Sequence, residues 1–101
     1  MIVVKVEYTV NEKYVETNKQ LIEAFLRDFK ELDHTEFLYS VFRTQGSNTF
    51  VHLSQYKNPQ IQQALLNTPS FLHFQEQRDK NLVSQPEIKV LEHIGTSKEV
   101  L

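Results

Sequence analysis

Residues 37–56, FLYSVFRTQGSNTFVHLSQY, decide the fold of this chain. Two runs rich in aromatic and β-branched residues flank the turn-forming residues 45–48, a pattern typical of a β-hairpin. A two- or four-residue loop pairs Thr44 with Thr49 and Phe42 with Val51. A three-residue loop would shift the pairing by one residue and exchange the faces of one strand.

The side chains of the hairpin divide into two sets, because residues alternate sides along a strand. In the favoured register one face carries Phe37, Tyr39, Val41, Arg43, Phe50, His52, Ser54 and Tyr56. The other face carries Leu38, Ser40, Phe42, Val51, Leu53 and Gln55. Since both sets contain large apolar groups, we expect both sides of the hairpin to be covered.

Composition limits the class of protein. The 101 residues, 40% of them hydrophobic, predict a single domain over residues 1–101 with one core. The chain has no cysteine, which excludes thiolate chemistry and fits a reducing compartment. Charged residues interrupt the first apolar run, so we expect no signal peptide, no membrane contact and a cytoplasmic location. A net charge of −2 without a basic patch argues against nucleic acid as a partner.

The segment before the hairpin predicts one strand and one helix. Residues 2–10 alternate as a half-buried strand does. Residues 12–32 carry apolar side chains at helical spacing, and Asn11 before them is a favourable N-cap.

The segment after the hairpin predicts a broken helix and a last strand. Asn58 and Pro59 form a helix start, and Thr68 and Pro69 repeat it, so the helix breaks there and continues over 69–82. Residues 88–94 form the last strand. The order predicts an α+β, ferredoxin-like βαββαβ fold, with an antiparallel four-stranded sheet in the order 4-1-3-2 and both helices on one face.

The opposite sheet face has no cover within the chain. It presents the apolar residues Leu38, Phe42, Val51, Leu53 and Leu91. Apolar faces of this size are unusual on monomers. The simplest cover is a second copy packed sheet to sheet, so we expect a homodimer.

Three segments resemble a known group of proteins: the strand IVVKV at 2–6, the run FVHLSQYKN at 50–58 and LLNTPSF at 65–71. The chain is similar to the dimeric α/β-barrel superfamily, in particular to the antibiotic-biosynthesis-monooxygenase-like domains. The resemblance implies two sheets paired in a barrel and a small pocket between each sheet and its helices. Some members oxidise polyketide-like aromatic compounds without metal or flavin, and others degrade heme.

The chain departs from this family at several functional positions. Many members have Glu-x-Trp at the end of the third strand, where this chain has Ser54, Gln55 and Tyr56. The Asn, Trp and His of the heme-degrading branch correspond to Val6, Tyr56 and Gln75. The resemblance therefore implies no heme and no other cofactor here.

Candidate catalytic residues are His52, Tyr39 and Tyr56. A histidine exchanges protons near neutral pH, and Tyr39 is its diagonal neighbour at ~7–8 Å across the hairpin. Tyr56 stands at the family's Trp position. We expect Tyr8, Phe71 and Gln75 to bind a small organic molecule, in one pocket per protomer beside His52 and beneath 69–82, with Arg78 in solvent.

An alternative role for His52 is structural, bonded to a backbone group or hydroxyl inside the core. The four histidines have no metal-ligand spacing, and two glycines leave no phosphate-binding loop. RNA-recognition modules share the strand order, but their basic-glycine motif is missing. The favoured function is a small monooxygenase-like protein that binds or oxidises an aromatic or polyketide-like molecule. The alternative is a non-catalytic dimeric ligand-binding domain.

Overall fold

The computed structural model describes residues 1–101. Its strands are β1 (Ile2–Thr9), β2 (Phe37–Arg43), β3 (Thr49–Tyr56) and β4 (Glu87–Leu91). Its α-helices are α1 (Val15–Phe29), α2 (Pro59–Leu66) and α3 (Pro69–Asp79). Every strand pair is antiparallel and the sheet order is β2-β3-β1-β4. This confirms the predicted ferredoxin-like α+β fold and strand order.

The hairpin adopts the favoured register. Phe42 lies opposite Val51, and the N–H of Thr44 donates to the carbonyl of Thr49 at 2.9 Å, which closes a four-residue loop. Gly46 in this loop has a φ of 73°, a conformation that glycine adopts without strain. The two predicted faces of the hairpin are therefore correct.

Several boundaries differ from the prediction. The predicted helix 12–32 begins as a 3₁₀ turn over Glu12–Tyr14, and the side chain of Asn11 makes no capping bond. Asn58 does cap α2, because its Oδ1 accepts from the N–H of Ile61 at 2.9 Å. The break at Pro69 is confirmed, but the side chain of Thr68 makes no capping bond to α3.

The last strand was predicted too far along the chain. It ends at Leu91, which pairs with Val3 near the start of β1, so residues beyond it have almost no partner strand. Ile94 is accordingly 85% exposed. Helices α1 and α3 cover the other three strands, but they leave Ile88 and Val90 of β4 exposed on the helix side.

The core lies between the helices and the first three strands. The stripe of α1 that faces the sheet consists of Val15, Asn18, Ile22, Phe25 and Phe29. It meets Phe71 and Phe74 of α3 in one cluster. The opposite side of the sheet, called the open face below, keeps Phe42 56% exposed and Leu38 39% exposed. None of the helices is long and apolar enough to cross a membrane.

Candidate functional site

A buried histidine links two tyrosines at the centre of the helix side of the sheet. β3 places His52 between β1 and β2, opposite Val6 and Val41. The Nε2 atom of His52 lies 2.8 Å from the hydroxyl of Tyr8, and Nδ1 lies 2.7 Å from the hydroxyl of Tyr39. Both tyrosines are diagonal neighbours of His52 on the adjacent strands, so strand alternation alone brings the three side chains together.

Asn18 of α1 extends this network. Its Nδ2 donates to the Tyr8 hydroxyl at 3.0 Å. Tyr8 is then free to donate its own proton to Nε2 of His52, and Nδ1–H of His52 donates to Tyr39. We infer one direction of donation, from Asn18 through Tyr8 and His52 to Tyr39. We call these four hydrogen-bonded residues the phenol–imidazole network.

The network is uncharged near neutral pH. Burial, together with the positive charge of Arg78, lowers the pKa of His52 to about 3. Burial also raises the pKa of the Tyr8 and Tyr39 phenols well above their usual value. His52 is 2% exposed. A neutral imidazole with both nitrogens occupied has no free position for a substrate atom.

Aromatic rings close the network off from solvent. The ring of Phe74 stacks on that of His52 with centroids 5.4 Å apart. The ring centroid of Phe25 lies 6.1 Å from that of His52. His52 lines none of five cavities on the surface of the molecule. The prediction of a pocket beside His52 is therefore wrong: aromatic side chains fill the space between α3 and the sheet.

The remaining predicted site residues lie around this core. Tyr56 and Phe71 are buried, with Phe71 against Phe25 and Tyr39. Gln75 is half-buried on α3 and makes no side-chain hydrogen bond within the chain. The structure brings together His52, Tyr39 and Tyr8 by hydrogen bonds, whereas Tyr56, Phe71 and Gln75 are not part of the network.

Arg78 does not point into solvent, contrary to prediction. Its side chain is 12% exposed and pairs with Asp79 at 3.0 Å. Its guanidinium lies 5.3 Å from the ring centre of Tyr8 and 5.4 Å from that of Phe74. Cation–π attraction offsets the loss of water around the charge. Arg78 follows Phe71 and Phe74 at helical spacing, and this spacing could have predicted that Arg78 lies on the same side of α3.

Asn18 was also missed as a functional residue. The sequence places this polar residue on an apolar helical stripe, and the structure leaves it 0% exposed. Buried polar groups need hydrogen-bond partners. A polar residue at a core position, in a sequence with strand tyrosines, is the signal that could have suggested a buried network.

Two solvent-accessible cavities lie away from the network, between α1 and the edge strand β2. One cavity of about 240 Å³ is lined by Leu26, Phe29, Lys30, His34, Phe37, Leu38 and Tyr39. A second of about 250 Å³ is lined by Lys19, Ile22, Glu23, Leu26, Val41, Phe42, Arg43 and Phe50. Because they share Leu26, we call them together the α1–β2 groove. Its walls are mainly apolar, with basic side chains toward each end.

The groove touches two other features of the molecule. Tyr39 contributes to its wall and also ends the phenol–imidazole network. Leu38 and Phe42 line it too, although both belong to the open face. No group of three or more His, Asp or Glu side chains is arranged to hold a metal ion.

Comparison with solved structures identifies the same fold in other proteins. An antibiotic biosynthesis monooxygenase superposes with a TM-score of 0.79 at 11% identity, over 94% of this chain and 100% of that one. Rv0793 from Mycobacterium tuberculosis gives 0.79 at 12% identity, over 96% and 98%. A protein from Bacteroides thetaiotaomicron, provisionally named an antibiotic biosynthesis monooxygenase, gives 0.83 at 11%, over 97% and 93%.

The superpositions establish the fold, but at sequence identities this low they do not establish an activity. Many of the neighbouring structures carry the monooxygenase name, and they cover nearly the whole chain. The chain matches no protein-family model and no curated protein sequence. The fold is thus monooxygenase-like.

Proposed function

We propose that this monooxygenase-like fold serves as a homodimeric binding domain for a small aromatic molecule with an acidic group. The ligand lies in the α1–β2 groove of each protomer. The observation that carries the proposal is the groove itself, where an apolar wall that includes Phe29 and Tyr39 meets Lys30 and His34. Ligand sites combine an apolar body with a few polar groups that fix orientation.

The chemistry of the groove selects the ligand class. The rings of Phe29, Phe37 and Tyr39 offer a surface on which an aromatic ring can pack. The ammonium of Lys30 favours a carboxylate or an acidic phenol at the rim. Arg43 and Lys19 give the second cavity a similar preference, opposed by Glu23.

Dimerisation is part of the same proposal. The open face leaves Phe42 and Leu38 exposed, and burying such side chains stabilises an interface by ~1.5–3 kcal/mol each. Both residues also border the groove. A second copy on the open face would then lie beside the ligand and help to enclose it.

Binding without catalysis is favoured by the state of His52. A general base must reach the proton that it removes, at about 2.6–3.2 Å or through one water. Both nitrogens of His52 are occupied by phenols, and the residue is 2% exposed. The network supports a structural role that fixes the ring of Tyr39 in the groove wall.

A second candidate function, oxidation of the bound molecule, is favoured by the names of the fold neighbours. A phenol such as 1-naphthol and O₂ would give a quinone and water, with all electrons supplied by the phenol. In this case His52, Tyr39 and Tyr56 would be the catalytic residues. Tyr8, Phe71 and Gln75 would hold the substrate, which requires that α3 move away from the sheet.

Calorimetric titration with 2-naphthoate and its neutral analogue 2-naphthamide tests the binding proposal. We expect the acid to bind more tightly than the amide. Lys30→Gln should weaken naphthoate binding about two- to fivefold, as expected for an exposed ion pair. Leu26→Trp should abolish binding by filling both cavities. Lys80→Gln, which removes an exposed lysine directly after α3 and outside the groove, is the matched control and should change nothing.

The titration, an oxygen-consumption assay and sedimentation test the binding site, the catalytic alternative and the dimer in turn. If neither compound binds, or if Leu26→Trp binds naphthoate as well as the parent chain, the groove is not the site. If O₂ is consumed when 1-naphthol is added to the protein and His52→Gln stops this, the domain is a monooxygenase of phenols. Sedimentation that gives a monomer at micromolar concentration would remove the dimer from the proposal.

A further inference from the structure

The basic side chains of the α1–β2 groove lie at its two ends. Lys30 and His34 line the cavity at the start of β2. Lys19 and Arg43 line the cavity at the end of that strand. Leu26 lines both cavities, so a molecule that fills both of them crosses this side chain. The groove therefore has an apolar centre with basic groups on either side of it.

Each wall of the groove is one continuous element of the fold. The lining residues of the helical wall form one stripe along α1, because they recur at helical spacing at positions 19, 22, 23, 26, 29 and 30. The lining residues of the other wall run along β2 from Phe37 to Arg43. Helix and strand run in opposite directions, so the end of α1 lies beside the start of β2. The separation of the two basic ends is thus fixed by the fold.

Arg43 is held in place with part of its guanidinium free. Its Nε donates to the carbonyl of Ser47 at 2.7 Å, and its guanidinium carbon lies 5.9 Å from the ring centre of Phe50. The two terminal nitrogens of Arg43 make no hydrogen bond within the chain, and no carboxylate pairs with them. Two free N–H groups of this geometry match the two oxygens of a carboxylate.

The other charges of the groove leave one cation available at each end. Lys30 pairs with no carboxylate of the chain. Lys19 lies 3.6 Å from Glu16, and Glu23 lines the same cavity as Lys19, so two carboxylates offset its charge. Arg43 is then the available cation at that end. Glu23 lies one turn nearer the middle of α1 than Lys19, so it repels an acid placed between the two ends.

The length of the walls determines which ligand can reach both ends. The 7 residues of β2 span ~20 Å at about 3.3 Å for each step along the strand. The stretch of α1 from Lys19 to Lys30 is ~16 Å long at about 1.5 Å per residue. After ~3 Å for a charge-assisted hydrogen bond at each end, the walls leave roughly 10–14 Å between the acidic oxygens of a ligand.

We propose that the groove of each protomer binds one elongated diacid, a molecule with an aromatic body and a carboxylate at each end. One carboxylate binds the free nitrogens of Arg43, and the other binds Lys30 beside His34. The body of the ligand lies across Leu26 and packs against Phe29. This inference rests on the proposed function, which places an aromatic acid in the same groove, and it adds a second acidic group and a length.

Calorimetric titration with three related compounds tests the second acid. The diacid trans-stilbene-4,4′-dicarboxylate has the proposed length, trans-stilbene-4-carboxylate lacks one acid, and the cis isomer of the diacid holds its two acids closer together. We expect the trans diacid to bind at one molecule per protomer and about fivefold more tightly than the monoacid, as an additional exposed ion pair of bidentate geometry should provide. The cis diacid should bind no more tightly than the monoacid.

Removing either cation tests the two ends of the groove. Arg43→Gln should lower the affinity for the trans diacid about fivefold and remove its advantage over the monoacid, which can still bind Lys30. Lys30→Gln should also remove this advantage, because only one cation then remains. Arg27→Gln is the matched control, since it removes an exposed cation of α1 that does not line the groove, and it should leave the advantage intact.

The outcomes separate this inference from the proposed function. If neither the stilbene acids nor 2-naphthoate bind, both fail. If the monoacid binds but the trans diacid binds no more tightly, or if Arg43→Gln leaves its advantage intact, the groove takes a single acid and only the proposed function stands. Equal binding of the cis and trans diacids, or two diacid molecules per protomer, also overturns the two-ended site. Circular dichroism checks folding, and Lys30→Gln carries the test alone if the loss of the bond from Arg43 to Ser47 unfolds the first variant.

Discussion

Acid should destabilise this protein more than its carboxyl groups require, because the fold holds His52 neutral. In the unfolded chain His52 takes up a proton below a pKa of ~6.5. In the folded chain burial lowers this pKa to about 3. Between these values only the unfolded state binds the proton, so the free energy of unfolding falls as pH falls from 6.5 toward 3.

The size of the effect follows from the two pKa values. Each pKa unit is worth ~1.36 kcal/mol, so lowering the pH from 7 to 5 should cost about 2 kcal/mol through His52 alone. This is a large share of the ~5–15 kcal/mol that stabilises a small domain. The loss continues with further acidification and ends near the folded pKa.

Urea unfolding at pH 7 and pH 5 measures this loss. The protein concentration must be the same at both pH values, because dimerisation contributes to stability. His52→Gln is the matched variant, since glutamine can hydrogen-bond both tyrosines but does not titrate. We expect the parent chain to lose about 2 kcal/mol more than His52→Gln over this interval.

An equal loss in parent and variant would refute the reasoning. It would mean that His52 takes up its proton in the folded state, with the network rearranging around it. If His52→Gln does not fold, the carbon-bound ring protons of His52 provide the same test by NMR. Their chemical shifts should stay constant from pH 7 to pH 5, and a titration midpoint near 6.5 would contradict the buried network.

His52→Ala should lower the free energy of unfolding by ~3–5 kcal/mol in chemical denaturation, through a cavity and two orphaned phenols; a loss below 1 kcal/mol would argue against a core role. Tyr39→Phe should cost about 1–2 kcal/mol in the same assay and Tyr8→Phe more, because Tyr8 also accepts from Asn18. Phe42→Asp should turn the dimer into a monomer in sedimentation, since it would bury a lone carboxylate; a persistent dimer would place the interface elsewhere. Gly46→Ala should lower the melting temperature by several degrees, about 1 kcal/mol, because alanine is strained at a φ of 73°.

The sequence was sufficient for the sheet, because local patterns determine it. Alternation in 37–56 and the turn at Gly46 set the register of the hairpin, and Pro69 set the helix break. The strand order followed from chain connectivity. The end of β4 was misplaced because it depends on where its partner β1 begins, which no local pattern near Ile94 records.

The site was predictable in part for a similar reason. Strand alternation put His52 and Tyr39 on one face, so their contact could be inferred from register alone. The packing of α3 could not, because the space beneath a helix depends on how several side chains fill it together. Phe25, Phe71 and Phe74 close the space that a pocket would need. Arg78 was misplaced because its aromatic partners come from two different elements.

The bare helix side of β4 has a consequence for how the molecule opens. Ile88 and Val90 are 68% and 77% exposed, so β4 is held mainly by its ladder to β1. Strands with few buried apolar contacts detach at a lower free energy than the rest of a fold. The amide protons of β4 should therefore exchange with deuterium before those of β3, which lies between two strands. We therefore expect β4 to detach from β1 while the pairing of β1 with β3 stays intact.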